Sequence, residues 1–178
     1  MAPISSAEFG VRAEAIRLLL FDVDGVLTDG SVNVDANGVE LKRFHIRDGA
    51  GLAYAQRAGL LTGVLSARSS GATTARANEL HMAVIVQGVA NKRIALEEIL
   101  ISHGLTAEEV AYMGDDLVDL PVMRMVGLSA APADAVPEVA AIAHYVSWHS
   151  GGDGAVREFV EAVLKARGQW DDVVAHFN

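Results

Sequence analysis

Two carboxylates separated by a single residue, Asp22 and Asp24, stand directly after an apolar run in the stretch FDVDGVLTDG at 21–30. Paired acids at the end of a buried strand could bind a hard cation, divide nucleophile and acid/base roles, or do both. Gly25 lets the chain turn out of the strand after them. The same residues also fit an acidic turn, since Asp-Gly turns are common. A second acidic cluster, GDDLVD at 114–119, follows another apolar run. Magnesium prefers oxygen ligands and keeps several waters, so two carboxylates from separate strand ends suit it. Asp115 is the better ligand candidate, because it comes first after the strand and its glycine. Asp116 and Asp119 also fit simple capping of a positive helix N-terminus. Between the two clusters lies Leu65-Ser66-Ala67-Arg68. A hydroxyl and backbone N–H groups opening a helix make a seat for phosphate, and the arginine adds a bidentate anion donor. A serine there also serves as a plain cap. In QGVANK at 87–92 a lysine opens a helix, where a cation is disfavoured unless an anion partners it. Lys92 exposed to solvent is the alternative.

These groups need a scaffold that brings them together. Residues 17–22 (RLLLFD) read as a strand buried on both faces. Residues 31–44 carry Asn37-Gly38 between partly alternating segments, a hairpin signal in which both turn residues tolerate positive φ. A helix is expected over 48–58, a strand over 61–65, and a serine-capped helix over 69–80. A strand over 83–86, a helix over 92–103 and a strand over 110–113 follow. Weaker strand signals at 127–130 and 144–146 precede a helix over 155–166. Strands alternating with helices predict an α/β fold: a Rossmann-like parallel sheet with helices on both faces and a projecting β-hairpin. Ligands of such sheets bind beyond the carboxyl ends of the strands. Asp22, Asp24, Ser66, Arg68, Lys92 and Asp115 all fall there.

Composition sets outer limits. The 178 residues contain 51% hydrophobic and 21% charged residues, with no low-complexity segment or repeat, and read as one domain over 1–178. Fourteen basic against 23 acidic residues give a net charge of -9, which disfavours non-specific nucleic-acid binding. No apolar run approaches the roughly 18–20 residues of a membrane span, and the first 20 residues lack the pattern of a secretory signal. The chain has no cysteine, which suits a reducing cytoplasm.

The order DxDG, Ser, Lys, GDD, with each element after a strand, resembles the haloacid dehalogenase superfamily, its phosphatases in particular. The resemblance implies Asp22 as nucleophile and Asp24 as acid/base, with Ser66 and Lys92 holding the phosphoryl oxygens. It implies a magnesium site of Asp22, the Asp24 backbone carbonyl and Asp115. The second acid, Asp24, argues against dehalogenation. Neither the stretch from Asp22 to Ser66 nor that from Ser66 to Lys92 is long enough for a separate cap domain.

From Leu18 to about Gly168 the chain resembles the capless, tetrameric 3-deoxy-D-manno-octulosonate 8-phosphate phosphatases. The matching stretches are FDVDGVLTDG, GVELKRFHIRDGAG, QGVANK, VAYMGDDLVDLPVM, VGLSAAPADA and GGDGAVREF. This implies a phosphorylated sugar acid as substrate, a cytoplasmic homotetramer, and substrate contacts from Asp24, His45, Arg47, Asp48, Gly49, Arg68, Arg76 and Lys92. His45 also fits a packed strand residue, and Arg76 a solvated helix face. The chain departs from the family where Ser66-Ala67-Arg68 replaces the frequent Thr-Gly-Arg, where Ala53 stands for an arginine of some relatives, and at Trp148-His149-Ser150. Residues 151–154 and the tail beyond Gly168 resemble regions that reach a neighbouring subunit's site, and also fit a plain loop and a frayed terminus. Two rivals remain. Phosphatases of nine-carbon sugar acids tend to carry lysine in place of Arg68 and lack the RDG. A non-catalytic phosphatase-like module is opposed by the intact Asp22, Asp24, Lys92 and Asp115.

Overall fold

The computed structural model describes residues 4–177. Its centre is β1 (Leu18–Phe21), four apolar residues without exception buried. Side chains alternate across a strand, so Leu19 and Phe21 enter one core and Leu18 and Leu20 the other. A strand apolar on both faces belongs in the middle of a covered parallel sheet. There it lies, between β4 (Leu61–Leu65) and β6 (Val110–Met113). The sheet continues through β5 (Val84–Val86), β7 (Leu128–Ala131) and β8 (Tyr145–Val146), in the order β5-β4-β1-β6-β7-β8. Every pairing in it is parallel.

Helices α1 (Ser6–Ala15), α2 (Ile46–Arg57), α3 (Gly71–Glu79), α7 (Ala155–Ala166) and α8 (Trp170–Ala175) supply residues to the core on one face. Helices α4 (Lys92–His103), α5 (Leu120–Met123) and α6 (Pro137–Ala140) supply the other. The two-stranded hairpin β2 (Asn33–Val34) and β3 (Glu40–Leu41) stands apart from the main sheet. The α/β sheet, helices on both faces and projecting hairpin are thus as the sequence predicts.

Local details differ where side chains made a choice the pattern did not show. At the hairpin only Gly38 is left-handed (φ 79°); Asn37 is not. The turn is closed by Gly38 N–H to the Asp35 carbonyl (3.0 Å) and by Asp35 Oδ1 accepting from Val39 N–H (2.8 Å). Helix α3 starts at Gly71, and its N-cap Ser70 makes no side-chain cap bond. Instead Ser70 donates its backbone N–H to Gln87 Oε1 (3.0 Å). Helix α2 begins two residues before the expected Asp48. The tail is not frayed after Gly168: α8 docks its Trp170 beside Tyr54 and under the Arg157 guanidinium (5.5 Å to the ring centre). Helix α1 is an element the sequence pattern did not single out; it starts where Ser5 accepts from Glu8 N–H (3.2 Å) in a Ser-x-x-Glu start.

The edge of the sheet depends on Gly63. A Cβ there would lie 2.4 Å from Val84 Cβ and 2.7 Å from the Val84 carbonyl oxygen. Gly63→Ala is expected to cost about 2 kcal/mol, lowering the thermal midpoint by about 4–8 °C. An unchanged melting curve would show that β5 can move away freely.

Candidate active site

Parallel strands end on one side, and the chemistry-bearing residues collect there. Asp22 follows β1 directly and anchors its backbone N–H on the Met113 carbonyl (3.0 Å). Gly25 has φ 86°, and a Cβ on it would fall 2.0 Å from Asp115 Oδ2. A Cβ on Gly114 would fall 2.5 Å from Asp119 Cγ. The two motif glycines therefore make room for two carboxylates. Behind them Gly151 presses on the same loop, where a Cβ would sit 1.8 Å from the Gly25 carbonyl oxygen. Gly152 donates to the Val26 carbonyl (2.9 Å). The double glycine thus braces the Asp24 loop of its own chain.

Asp22, Asp24, Ser66, Arg68, Asp115 and Asp116 line one cleft of about 270 Å³. Lys92 is buried beside it, with Nζ 2.8 Å from Asp22 Oδ1, 2.6 Å from Asp119 Oδ1 and 3.1 Å from the Tyr112 hydroxyl. Asn91 caps α4 by accepting from Arg93 and Ile94 N–H, and the two carboxylates partner the lysine that opens the helix. Burial alone would push the Lys92 ammonium down. The charges of Asp22 and Asp119 outweigh it and hold Lys92 above its ordinary value.

Asp119 is the residue sequence reasoning undervalued. It does cap, since Oδ2 accepts from Asp115 N–H (3.0 Å) and Asp116 N–H (3.2 Å). Its Oδ1 also accepts from Lys92 and from the Tyr112 hydroxyl (2.6 Å). Four donors satisfy this fully buried carboxylate. The only sequence signal was an acid in the first turn, because its partners Lys92 and Tyr112 lie on other elements.

Asp22, Asp115 and Asp119 offer oxygens that all lie within 4.8 Å of one another. Asp115 Oδ1 is buried without a hydrogen bond, while Asp22 Oδ1, also buried, has the Lys92 ammonium at 2.8 Å. Burial and then the charges of Asp22, Asp119 and Asp116 push Asp115 up to about 8. Burial and Asp119 push Asp22 up to about 6, against the pull of Lys92. Open carboxylate oxygens crowded together fit a hard divalent cation. With Asp119 already saturated, Asp22 and Asp115 are the donors that remain.

Asp24 is held by two cations, Lys42 and Arg68 (3.3 Å), of which Lys42 was not anticipated. The remaining candidates do not reach this cleft. His45 and Arg47 line a different cavity of about 520 Å³ with His149, Asp153 and Arg157. Asp48 is spent on the start of α7, accepting from Gly154 N–H (3.3 Å) and Arg157 N–H (2.8 Å). Gly49 gives passage to Arg76, whose guanidinium nitrogen would lie 2.3 Å from a Cβ at 49. Arg76 pairs with Glu79 (2.8 Å).

The haloacid dehalogenase-like hydrolase family profile matches residues 59–159, which hold Ser66, Lys92 and Asp115 but not Asp22. The chain is 43% identical over 167 residues to the 3-deoxy-D-manno-octulosonate 8-phosphate phosphatase KdsC of Escherichia coli strain K12, covering 94% of this chain and 89% of that protein. It superposes on the Moraxella catarrhalis enzyme of that activity, solved with magnesium, phosphate and KDO, with a TM-score of 0.94 at 35% identity, covering 96% and 98% of the two chains. Against the Yersinia pestis phosphatase of the same description the TM-score is 0.90 at 41% identity, with 92% and 89% covered.

The raised carboxyl groups make metal binding and pH interdependent. Both stand above the ordinary 3.8, so the metal-free folded chain holds protons that the unfolded chain has released. Its stability therefore falls as pH rises from 3.8 toward about 8. Magnesium added to the metal-free protein at pH 7 is expected to release about one proton, read by calorimetry in buffers of different ionisation enthalpy. Asp115→Asn should lose this release and the magnesium-induced rise in thermal midpoint. A variant that keeps both would remove Asp115 from the metal site.

Proposed function

This chain belongs to the haloacid dehalogenase-like hydrolase family, and on that footing we propose that it hydrolyses 3-deoxy-D-manno-octulosonate 8-phosphate to the free sugar acid and phosphate. It is a magnesium-dependent phosphomonoesterase. The observation that carries the reading is the convergence of Asp22, Asp24, Ser66, Arg68 and Asp115 on one cleft, with Lys92 buried against Asp22.

In this reading an Asp22 oxygen bonds to phosphorus as the bond from phosphorus to the C8 oxygen breaks, giving an aspartyl phosphate. Asp24 gives a proton to the departing oxygen. It then takes one from a water, whose oxygen attacks phosphorus and frees Asp22 with release of phosphate. Ser66 and Lys92 hold the phosphoryl oxygens, and Lys92 offsets the repulsion between the Asp22 carboxylate and its anionic target. Asp22 and Asp115, with the Asp24 backbone carbonyl, would hold magnesium, which when bound supplies the positive charge that keeps both carboxylates ionised and stabilises the transferring group. Among the sugar-side candidates Arg68 alone lines this cleft, and we assign it to the substrate carboxylate.

A capless cleft needs cover, and the reading includes a homotetramer. It is supported by the apolar hairpin residues Val32, Val34, Val39 and Leu41, all more than half exposed, and by Trp148, 91% exposed. A cytoplasmic setting goes with it and suits a chain without cysteine.

Phosphate release with magnesium should show strong preference for the eight-carbon substrate over its nine-carbon homologue and over p-nitrophenyl phosphate. Asp22→Asn should lower kcat by at least about 10³-fold on each. Equal turnover of the three esters would sink the substrate assignment, and activity surviving in Asp22→Asn would sink the nucleophile.

A further inference from the structure

The hairpin brings charges to the cleft that the reaction scheme does not use. Side chains alternate along β3, so Glu40 and Lys42 project from one face and Val39 and Leu41 from the other. Val39 and Leu41 are exposed, whereas the Lys42 side chain is almost fully buried. On the cleft side four charges interlock. One Arg68 terminal nitrogen lies 3.3 Å from Asp24 Oδ2, and the other lies 2.6 Å from Glu40 Oε1. Lys42 Nζ contacts Asp24 Oδ1 and stands 3.6 Å from Glu40 Oε1. Glu40 is the one member that touches both cations and has no part in the chemistry.

Arg68 needs such a partner. It sits on the loop after β4, half exposed, on a long side chain with many rotamers. A guanidinium carries five N–H donors in a rigid fork, so a carboxylate on one edge fixes its plane and leaves further donors for a second anion. We propose that Glu40 is a positioning residue for substrate selectivity, locking Arg68 in place for the carboxylate of the sugar acid. The ordering of Arg68 is then complete before substrate arrives, and binding does not bear it. Burial pulls the Glu40 carboxyl up, but the Arg68 hydrogen bond and the Lys42 charge outweigh it and hold it below its usual range, so Glu40 stays ionised in this role. The hairpin thereby supplies a selectivity contact to the cleft. This inference rests on the sugar-acid reading of the cleft.

The test compares two esters, the eight-carbon sugar acid phosphate and p-nitrophenyl phosphate, which has no carboxylate. Glu40→Gln is expected to raise KM for the sugar acid phosphate about 10-fold with kcat held within about twofold. Both constants for p-nitrophenyl phosphate should stay within about twofold, and Glu40→Asp should recover part of the loss. An unchanged KM for the sugar acid phosphate overturns the proposal. So does a fallen KM, which would make Glu40 a competitor for Arg68, and so does an equal loss on both esters. A wild-type enzyme without preference for the sugar acid phosphate sinks the substrate reading first. A wild type that prefers it, with a Glu40→Gln variant that keeps its KM, sinks this proposal alone.

Discussion

Three carboxylates crowd together beside one buried ammonium, and the site follows from how their repulsion is contained. Asp22, Asp115 and Asp119 bring oxygens within 4.8 Å of one another, with Lys92 as their buried counter-charge. Like charges at that distance in a poorly solvated place cannot all ionise unaided. The fold answers unevenly. Asp119 receives four donors and is settled, whereas Asp115 Oδ1 has no donor and Asp22 faces only the shared Lys92, and burial pushes both toward protonation. The repulsion left in the second pair is what fits it to a divalent cation.

The architecture serves that arrangement. Only neighbouring parallel strands deliver two acid-bearing loops side by side, and β1 and β6 are in register along their whole length. Backbone must then approach side chain more closely than a Cβ permits, which accounts for Gly25 and Gly114. Both cores of the sheet are apolar and ordinary. What sets this chain apart is concentrated at one edge.

Much of this was readable before any coordinates, and the reason is locality. Strands 61–65 and 110–113 and helices 92–103 and 155–166 begin and end where pattern placed them, because burial periodicity and caps are encoded in adjacent residues. That Asp22, Asp24, Ser66, Lys92 and Asp115 lie together was legible because strand ends converge by rule. Asp119 and Lys42 were missed because their meaning lies in partners far along the chain. Lys42 looks like any surface lysine until its neighbour Asp24 is known. Asp48 shows the opposite case. Its motif suggested substrate, yet its oxygens are consumed by the start of α7, a use that only tertiary structure reveals.

The brace formed by Gly151 and Gly152 on the Asp24 loop bears on the order of assembly. Asp48 reaches Gly154 across 106 positions of chain, and the double glycine just before Gly154 closes on the Gly25 loop from farther still downstream. A nascent chain emerging from the ribosome would carry every acid, the serine and the lysine of the cleft well before the segment that fixes their loop has been made. Contacts of such separation carry a large loop-closure cost. A fragment ending before Gly151 would hold the full set of reactive groups on an unsupported loop, so the brace ties the shape of the cleft to a nearly full-length chain.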